Sequence, residues 1–345
     1  WQTNSDDVQF PMTHGWSGSV NEAVTFNSPT PTTTPEIDMM GCIRRNDNGV
    51  MVAIPFWLNY GTENPNPPFI FTYHTSTNNG TTWVTQTNAG SATGFPAGQQ
   101  MAGFRFHRGI IQDADGTMYA PAHATWKVSG AYQAYRIMLM KSTNGGATWN
   151  YLSTIQYTPN LWYTEATIVR CKDGSILAVM RNGNNPLKYR RSPPGDNGVN
   201  WGAAAAALPG VPTNAGVDPY RELLPNGILT LSYGNNIIDQ TPYHIDPKDS
   251  VMRHCMVAFS PDGNGTNWAN IRETYTSVKG GTLGTKSSGY TSVFPLRTNR
   301  LMQVSDRALY NYYYPGTNEH PTPNPFSIWS KTIDLVLTYR NRIDL

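Results

Sequence analysis

Apolar positions in this chain alternate with polar ones over short runs and then break at a turn. The clearest run is 163–181, YTEATIVRCKDGSILAVMR. Ile168, Ile176, Leu177 and Val179 supply the β-branched and aliphatic content that strands favour. Asp173-Gly174 between them supplies the positive φ of a tight hairpin turn. The same pattern predicts hairpins around Asn48-Gly49, Asp115-Gly116, Asn226-Gly227 and, without a glycine, Thr298-Asn299. No helix is predicted. The alanine run 203–207 lies beside Gly202 and Pro209 and reads as loop, as do the proline-rich stretches 28–35, 64–68 and 315–325.

A second pattern alternates with the hairpins. Ser76-Thr-Asn-Asn-Gly-Thr-Thr-Trp83 and Ser142-Thr-Asn-Gly-Gly-Ala-Thr-Trp149 match each other, and 192–201 and 260–268 repeat them with inserted residues. Each predicts a turn in which Asn or Asp bonds the local backbone, glycine takes the left-handed conformation and Trp packs beneath. The hairpin-and-box unit recurs roughly every fifty-five to seventy residues, the spacing of a small sheet with loops. The expectation is an all-β chain forming one domain, 1–345, in which strands at 20–26 and 327–337 close a ring together.

At these boxes the sequence resembles the Asp-box, or BNR, repeat of the sialidase superfamily, with Asn for the usual Asp in two of the four. The resemblance implies a β-propeller of four-stranded blades: six of them, with five or seven as alternatives.

Composition narrows the class. Of 345 residues, 39% are hydrophobic and only 14% charged, and Gly and Pro number 31 and 26, which suits a loop-rich, secreted all-β protein. The chain begins at Trp1 rather than Met, as after removal of a signal peptide. Asn79-Gly-Thr81 and Asn264-Gly-Thr266 are candidate glycosylation sites. A net charge of +2 gives no field that argues for nucleic acid, and no apolar run is long enough to span a membrane. A monomer is expected. Cys42, Cys171 and Cys255 make no disulfide framework and no zinc spacing; they read as buried thiols on strands. No cofactor is implied. Calcium is compatible with a backbone-rich funnel, but no oxygen-ligand loop motif is present.

Equivalent hairpins bring equivalent ends to one mouth of a propeller. Counting nine residues before and seven after each turn glycine, or from Asn299, gives Met40 and Phe56, His107 and His123, Glu165 and Arg181, Asp218 and Gly234, and Tyr290 and Asp306. Arg108, Tyr163, Arg221, Tyr233 and Arg307 are close neighbours of these. The Tyr310–Tyr314 cluster is either sugar-facing or packing. Glu165 and Arg181 also suit a plain cross-strand ion pair. The arginines suit a substrate carboxylate.

Two chemistries fit. His107 or His123 as base, Arg181 or Arg221 on the carboxylate, and Tyr290 or Tyr163 as acid suit β-elimination from a uronate. FHRG, TEATIV…DG…MR and GVDPYRELLPNGILTLSYG resemble propeller-fold polysaccharide lyases that release terminal rhamnose from glucuronate in gum arabic-type arabinogalactan. That resemblance implies a secreted, exo-acting lyase on an oligo- or polysaccharide. The alternative is an exo-glycoside hydrolase: sialidase-like, a rhamnosidase or an exo-arabinanase. In the sialidase-like form, Glu165 draws the proton from Tyr290, Arg181 holds the carboxylate and an aspartate is the acid. The sialidase Phe-Arg-Ile-Pro segment is absent here, and Met39 and Met40 stand where its first arginine belongs. A non-catalytic carbohydrate-binding propeller is the third reading.

Overall fold

The computed structural model of the protein describes residues 15–16, 30–31, 40–45, 48–55, 67–97, 100–128, 131–183, 185–211, 216–236, 253–276, 287, 289–306 and 328–335. All regular structure among them is β. A small pair joins β1 (Gly15–Trp16) to β2 (Thr30–Pro31). After it come five antiparallel meanders in chain order.

The first meander is β3 (Met40–Arg45), β4 (Met51–Pro55), β5 (Phe69–Ser76) and β6 (Val84–Thr93). The second begins with β7 (Gln100–Phe106) and β8 (Ile111–Gln112), which both pair with β9 (Met118–Val128). It continues through β10 (Ala131–Ser142) to β11 (Thr148–Gln156). The last strands of these two meanders pair in parallel, Ser91 opposite Thr148, which fuses them into one nine-stranded sheet. The third is β12 (Tyr163–Arg170), β13 (Ile176–Asn182), β14 (Asn185–Ser192) and β15 (Ala206–Ala207). The fourth is β16 (Val217–Leu223), β17 (Leu229–Asn236), β18 (Arg253–Ser260) and β19 (Ala269–Tyr275). The fifth is β20 (Thr291–Arg297), β21 (Arg300–Asp306) and β22 (Ile328–Asp334). The expected closing strand at 20–26 lies outside the described residues, and 328–334 pairs with β21.

Both sequence patterns are physically realised. At three first hairpins the turn is the same. Gly116, Gly174 and Gly227 have φ of 84°, 83° and 82°. Asp115, Asp173 and Asn226 accept the N–H of Thr117, Ser175 and Ile228 at 2.9, 2.9 and 3.0 Å. The boxes all fall between the third and fourth strands of a meander, and a Ser hydroxyl caps each one. Ser76, Ser142, Ser192 and Ser260 accept the N–H of Gly80, Gly146, Gly198 and Gly265 at 2.9 to 3.0 Å. Asn78 and Asn144 take the Asp role and accept the N–H of Thr82 and Thr148 at 2.9 and 2.8 Å. An amide oxygen accepts these bonds as a carboxylate does, so the turn is indifferent to the exchange.

Apolar faces of successive meanders pack on each other. Val169, Val179 and Leu187 of the third meet Leu231, Tyr233 and Ala258 of the fourth, with Trp268 beneath. Cys171 and Cys255 are buried thiols, as small apolar side chains are; the side chain of Cys42 lies outside the described residues. No described helix is long and apolar enough to cross a membrane.

Candidate active site

The first strands β12 and β16 begin alike, and each carries a bulge in its second or third residue. On β12 the register against β13 shifts between Thr164 and Thr167, and on β16 against β17 between Val217 and Tyr220. The inserted residues are Glu165 and Asp218, both with φ of 46°. Left-handed backbone at non-glycine residues costs about 1–3 kcal/mol each, and such strain gathers at functional sites. A bulge also re-aims its side chain. Here both carboxylates turn toward the same place.

Glu165 organises the cluster. Its Oε1 accepts Arg181 Nη1 at 2.7 Å and the Tyr290 hydroxyl at 3.4 Å. Its Oε2 accepts the backbone N–H of Asp218 at 2.8 Å. Asp218 in turn pairs with Arg108 Nη2, while Arg108 Nη1 donates to Thr291 O at 3.0 Å and Ser292 Oγ at 2.7 Å. Four meanders therefore meet here, and residues 183 positions apart in the chain touch. The Arg108, Arg181 and Glu165 side chains keep 26, 23 and 12% of their exposure, whereas Asp218 keeps 1%. Tyr290 is half-buried.

The two carboxylates are driven apart in acidity. Burial alone would raise Glu165. The charge of Arg181, the proximity of His107 and the Asp218 N–H outweigh it and hold Glu165 below its ordinary value. Burial pushes Asp218 up to about 7, with the charge of Glu165 adding and Arg108 and the Thr291 N–H opposing. Near neutral pH one carboxyl is ionised and its neighbour is half protonated. Burial lowers Arg181, but Glu165 more than restores it, so that guanidinium stays charged.

The histidines form a layer beneath. His107 lies just past the end of β7 and bonds the Ala166 backbone; burial first, then Arg108, lowers it to about 3 despite Glu165. His123 is buried beside it, ring centroids 6.1 Å apart, and is pushed well below its ordinary value by burial and by Arg105. Both are neutral imidazoles without a solvent face. Arg105, half-buried on β7 opposite His123, was not singled out in the sequence; no turn spacing marks it.

Three expected substrate contacts stand elsewhere. Arg221 is buried with the core between the third and fourth meanders and donates to Thr167 O; burial lowers it to about 9. On β16 it points to the face opposite Tyr220, into packing, so no bulge turns it to the mouth. Tyr233 is fully buried in that core, its hydroxyl pushed up by burial, and Tyr163 is buried in the apolar cluster that joins the second and third meanders. Gly234 is there for space: a Cβ would lie 2.6 Å from the Gly289 backbone, just before Tyr290. Phe56, Arg307, the Tyr310–Tyr314 cluster and the side chains of Met40 and Asp306 lie outside the described residues. Among the described residues no cluster of three or more His, Cys, Asp or Glu is placed to hold a metal ion.

No protein-family model matches the sequence, and no curated protein matches it. Solved structures do. A protein of unknown function from Dyadobacter fermentans aligns with a TM-score of 0.62 at 18% identity, covering 90% of this chain and 81% of that one. A thermostable family-43 glycoside hydrolase aligns with a TM-score of 0.50 at 12% identity, covering 79 and 86%. A mutant of the NanB sialidase of Streptococcus pneumoniae aligns at 0.47 and 9% identity, and the chain spans 56% of its length. Among the described residues the fold is thus all-β and similar to that of a β-propeller glycoside hydrolase.

Proposed function

We propose that the protein is a glycoside hydrolase acting on a carboxylate-bearing glycan, with Tyr290 and Glu165 as its reacting couple. The observation that carries this is the Tyr290 hydroxyl 3.4 Å from an ionised Glu165, flanked by half-exposed Arg181 and Arg108. Such a hydroxyl is a nucleophile once the carboxylate takes its proton, and contacts of this kind tighten when substrate binds. The shared fold with a family-43 glycoside hydrolase agrees with this reading. The lyase alternative needs a histidine base near neutral pH, and both histidines are buried and pushed far below that range.

In this scheme Arg181 and Arg108 bind the substrate carboxylate. Arg108 leaves Asp218 to do so, which removes the charge opposing the rise of that carboxyl and keeps it protonated. Asp218 then protonates the leaving glycosidic oxygen as the C–O bond breaks. Tyr290 bonds to the anomeric carbon and its proton passes to Glu165. Water, deprotonated by Asp218, then attacks the anomeric carbon, the bond from that carbon to Tyr290 breaks, and the departing phenolate takes its proton back from Glu165. Groups of opposite protonation side by side are the usual mark of such an assignment. The strain at Glu165 and Asp218 supports it. His107 supports Glu165 from beneath, with His123 packed behind it.

We read the five meanders as blades of one propeller in a secreted, monomeric enzyme attacking chain ends. The test is incubation with gum arabic and sialylated oligosaccharides. A hydrolase releases reducing sugar without the ultraviolet absorbance of an unsaturated uronate. That absorbance would make the protein a lyase, and neither signal would leave a binding module.

A further inference from the structure

Trp162 has no part in the chemistry above, yet the fold holds it out beside the site. It keeps 45% of its exposure at the end of the loop that enters β12, three residues before Glu165. An exposed aromatic alone is ordinary. Three features make this one different. The loop is fastened: Gln156 Nε2 donates to Thr158 Oγ1 at 2.8 Å and to Tyr157 O at 3.3 Å, and Asn160 turns the chain with φ of 63°. The indole is braced by the edge of Tyr135, ring centroids 5.2 Å apart at 74°, and Tyr135 in turn meets His123 at 5.1 Å. Gly183 couples the residue to the site. Its N–H donates to Trp162 O at 3.0 Å, and its own carbonyl accepts Arg181 Nε at 3.2 Å.

A rigid indole therefore stands one residue's hydrogen bonds away from the guanidinium assigned to the substrate carboxylate. A pyranose ring has an apolar C–H face that suits such a surface, and a preorganised aromatic loses little entropy on binding. We infer that Trp162 is a stacking platform for a second sugar ring of the glycan, outside the ring held by Arg181 and Arg108. This rests on the glycan reading of the site but not on its catalytic step.

The experiment is affinity electrophoresis in gels containing gum arabic, arabinan or xylan, with tryptophan fluorescence as a second readout. Wild type is expected to be retarded by at least one polysaccharide, and Trp162→Ala to bind it about tenfold more weakly. Trp162→Phe should keep most of the retardation. Trp329→Ala, which removes an equally exposed indole (48%) on β22, should change nothing. Glu165→Gln should still bind, with Trp162-dependent retardation and turnover lowered about 10²–10⁴-fold. Glycan should shift the fluorescence of wild type and not that of Trp162→Phe, which tests the contact even if the alanine variant fails to fold. Unchanged binding in Trp162→Ala overturns the inference, as does a wild type retarded by none of the three. Trp162-dependent binding without any turnover in wild type would keep it and remove the hydrolase assignment.

Discussion

The second and third meanders place charged or titratable residues at the same count from the same turn, yet they end as different things. In the third, Glu165 and Arg181 form a half-exposed ion pair. In the second, His107 and His123 are buried neutral rings. The difference lies in where the strand is interrupted. On β12 and β16 the bulge coincides with the ninth residue before the turn glycine, so that residue is thrown out of the ladder. The first strand of the second meander is broken into β7 and β8, with 107–110 between them. Its bulge sits earlier, between Ala102 and Arg105, where Gly103 has φ of 61°. The ninth residue is then His107, whose N–H bonds Pro121 O at 2.8 Å while its side chain turns inward. Equal spacing brings residues to one end of a sheet; the irregularity decides how each side chain is aimed there, Glu165 and Asp218 into one charged cluster and His107 into the core.

The sharpest break in the comparison is Glu165→Gln. Turnover should fall about 10²–10⁴-fold, the usual worth of an acid–base group, with circular dichroism unchanged. Full activity in that variant would remove the site.

Asp218→Asn comes next. Wild-type activity should be bell-shaped, with Glu165 setting the acid limb below 4.5 and Asp218 the basic limb near 7. The variant should lose turnover about 10²-fold and lose the basic limb. Stability gives an independent sign. The folded value of Asp218 lies above its unfolded value of 3.8, so its protonation favours the fold below about pH 4, and that contribution is lost as pH rises through 7. Melting curves of the variant should therefore gain on wild type from pH 5 to pH 8. A gap that is flat over this range would show that Asp218 is not a buried, raised acid.

Arg181→Lys should weaken binding of a carboxylated substrate more than it slows the bound complex, because a point charge cannot replace a fork. A KM rise of about tenfold with kcat less affected is expected in steady-state assays. An equal rise on a neutral glycan would show that the guanidinium does not read a carboxylate.

The smallest effect on activity belongs to His123→Phe. A buried neutral ring should give up packing and little else, costing about 1–3 kcal/mol of stability in denaturant melts. A collapse of turnover in a folded variant would return the histidines to the chemistry and reopen the lyase scheme.

Much of this was open to reading in the chain. Turns such as Asp173-Gly174 and boxes such as 142–149 are local: their bonds join residues two to four apart, so composition alone specifies them. The apolar alternation of β12 and β13 follows from the same short-range rule, and the pairing of Glu165 with Arg181 from counting along one hairpin. What counting cannot supply is everything that crosses between meanders. Arg221 stands three residues inside the register position of Asp218, near the other candidates in the chain, but the packing of the third meander on the fourth buries it. Arg108 carried no spacing signal toward Asp218, and Trp162 none toward Arg181; each link spans separate segments. The acidity of Asp218 depends on burial and on Glu165, a residue 53 positions away, and so exists only once the sheets have packed. Sequence by itself determined the turns, the strands and the candidates, because short-range sterics and hydrogen bonding set them. The tertiary structure decided which candidates face one another and which are charged, because desolvation and Coulomb interaction act through space and not along the chain.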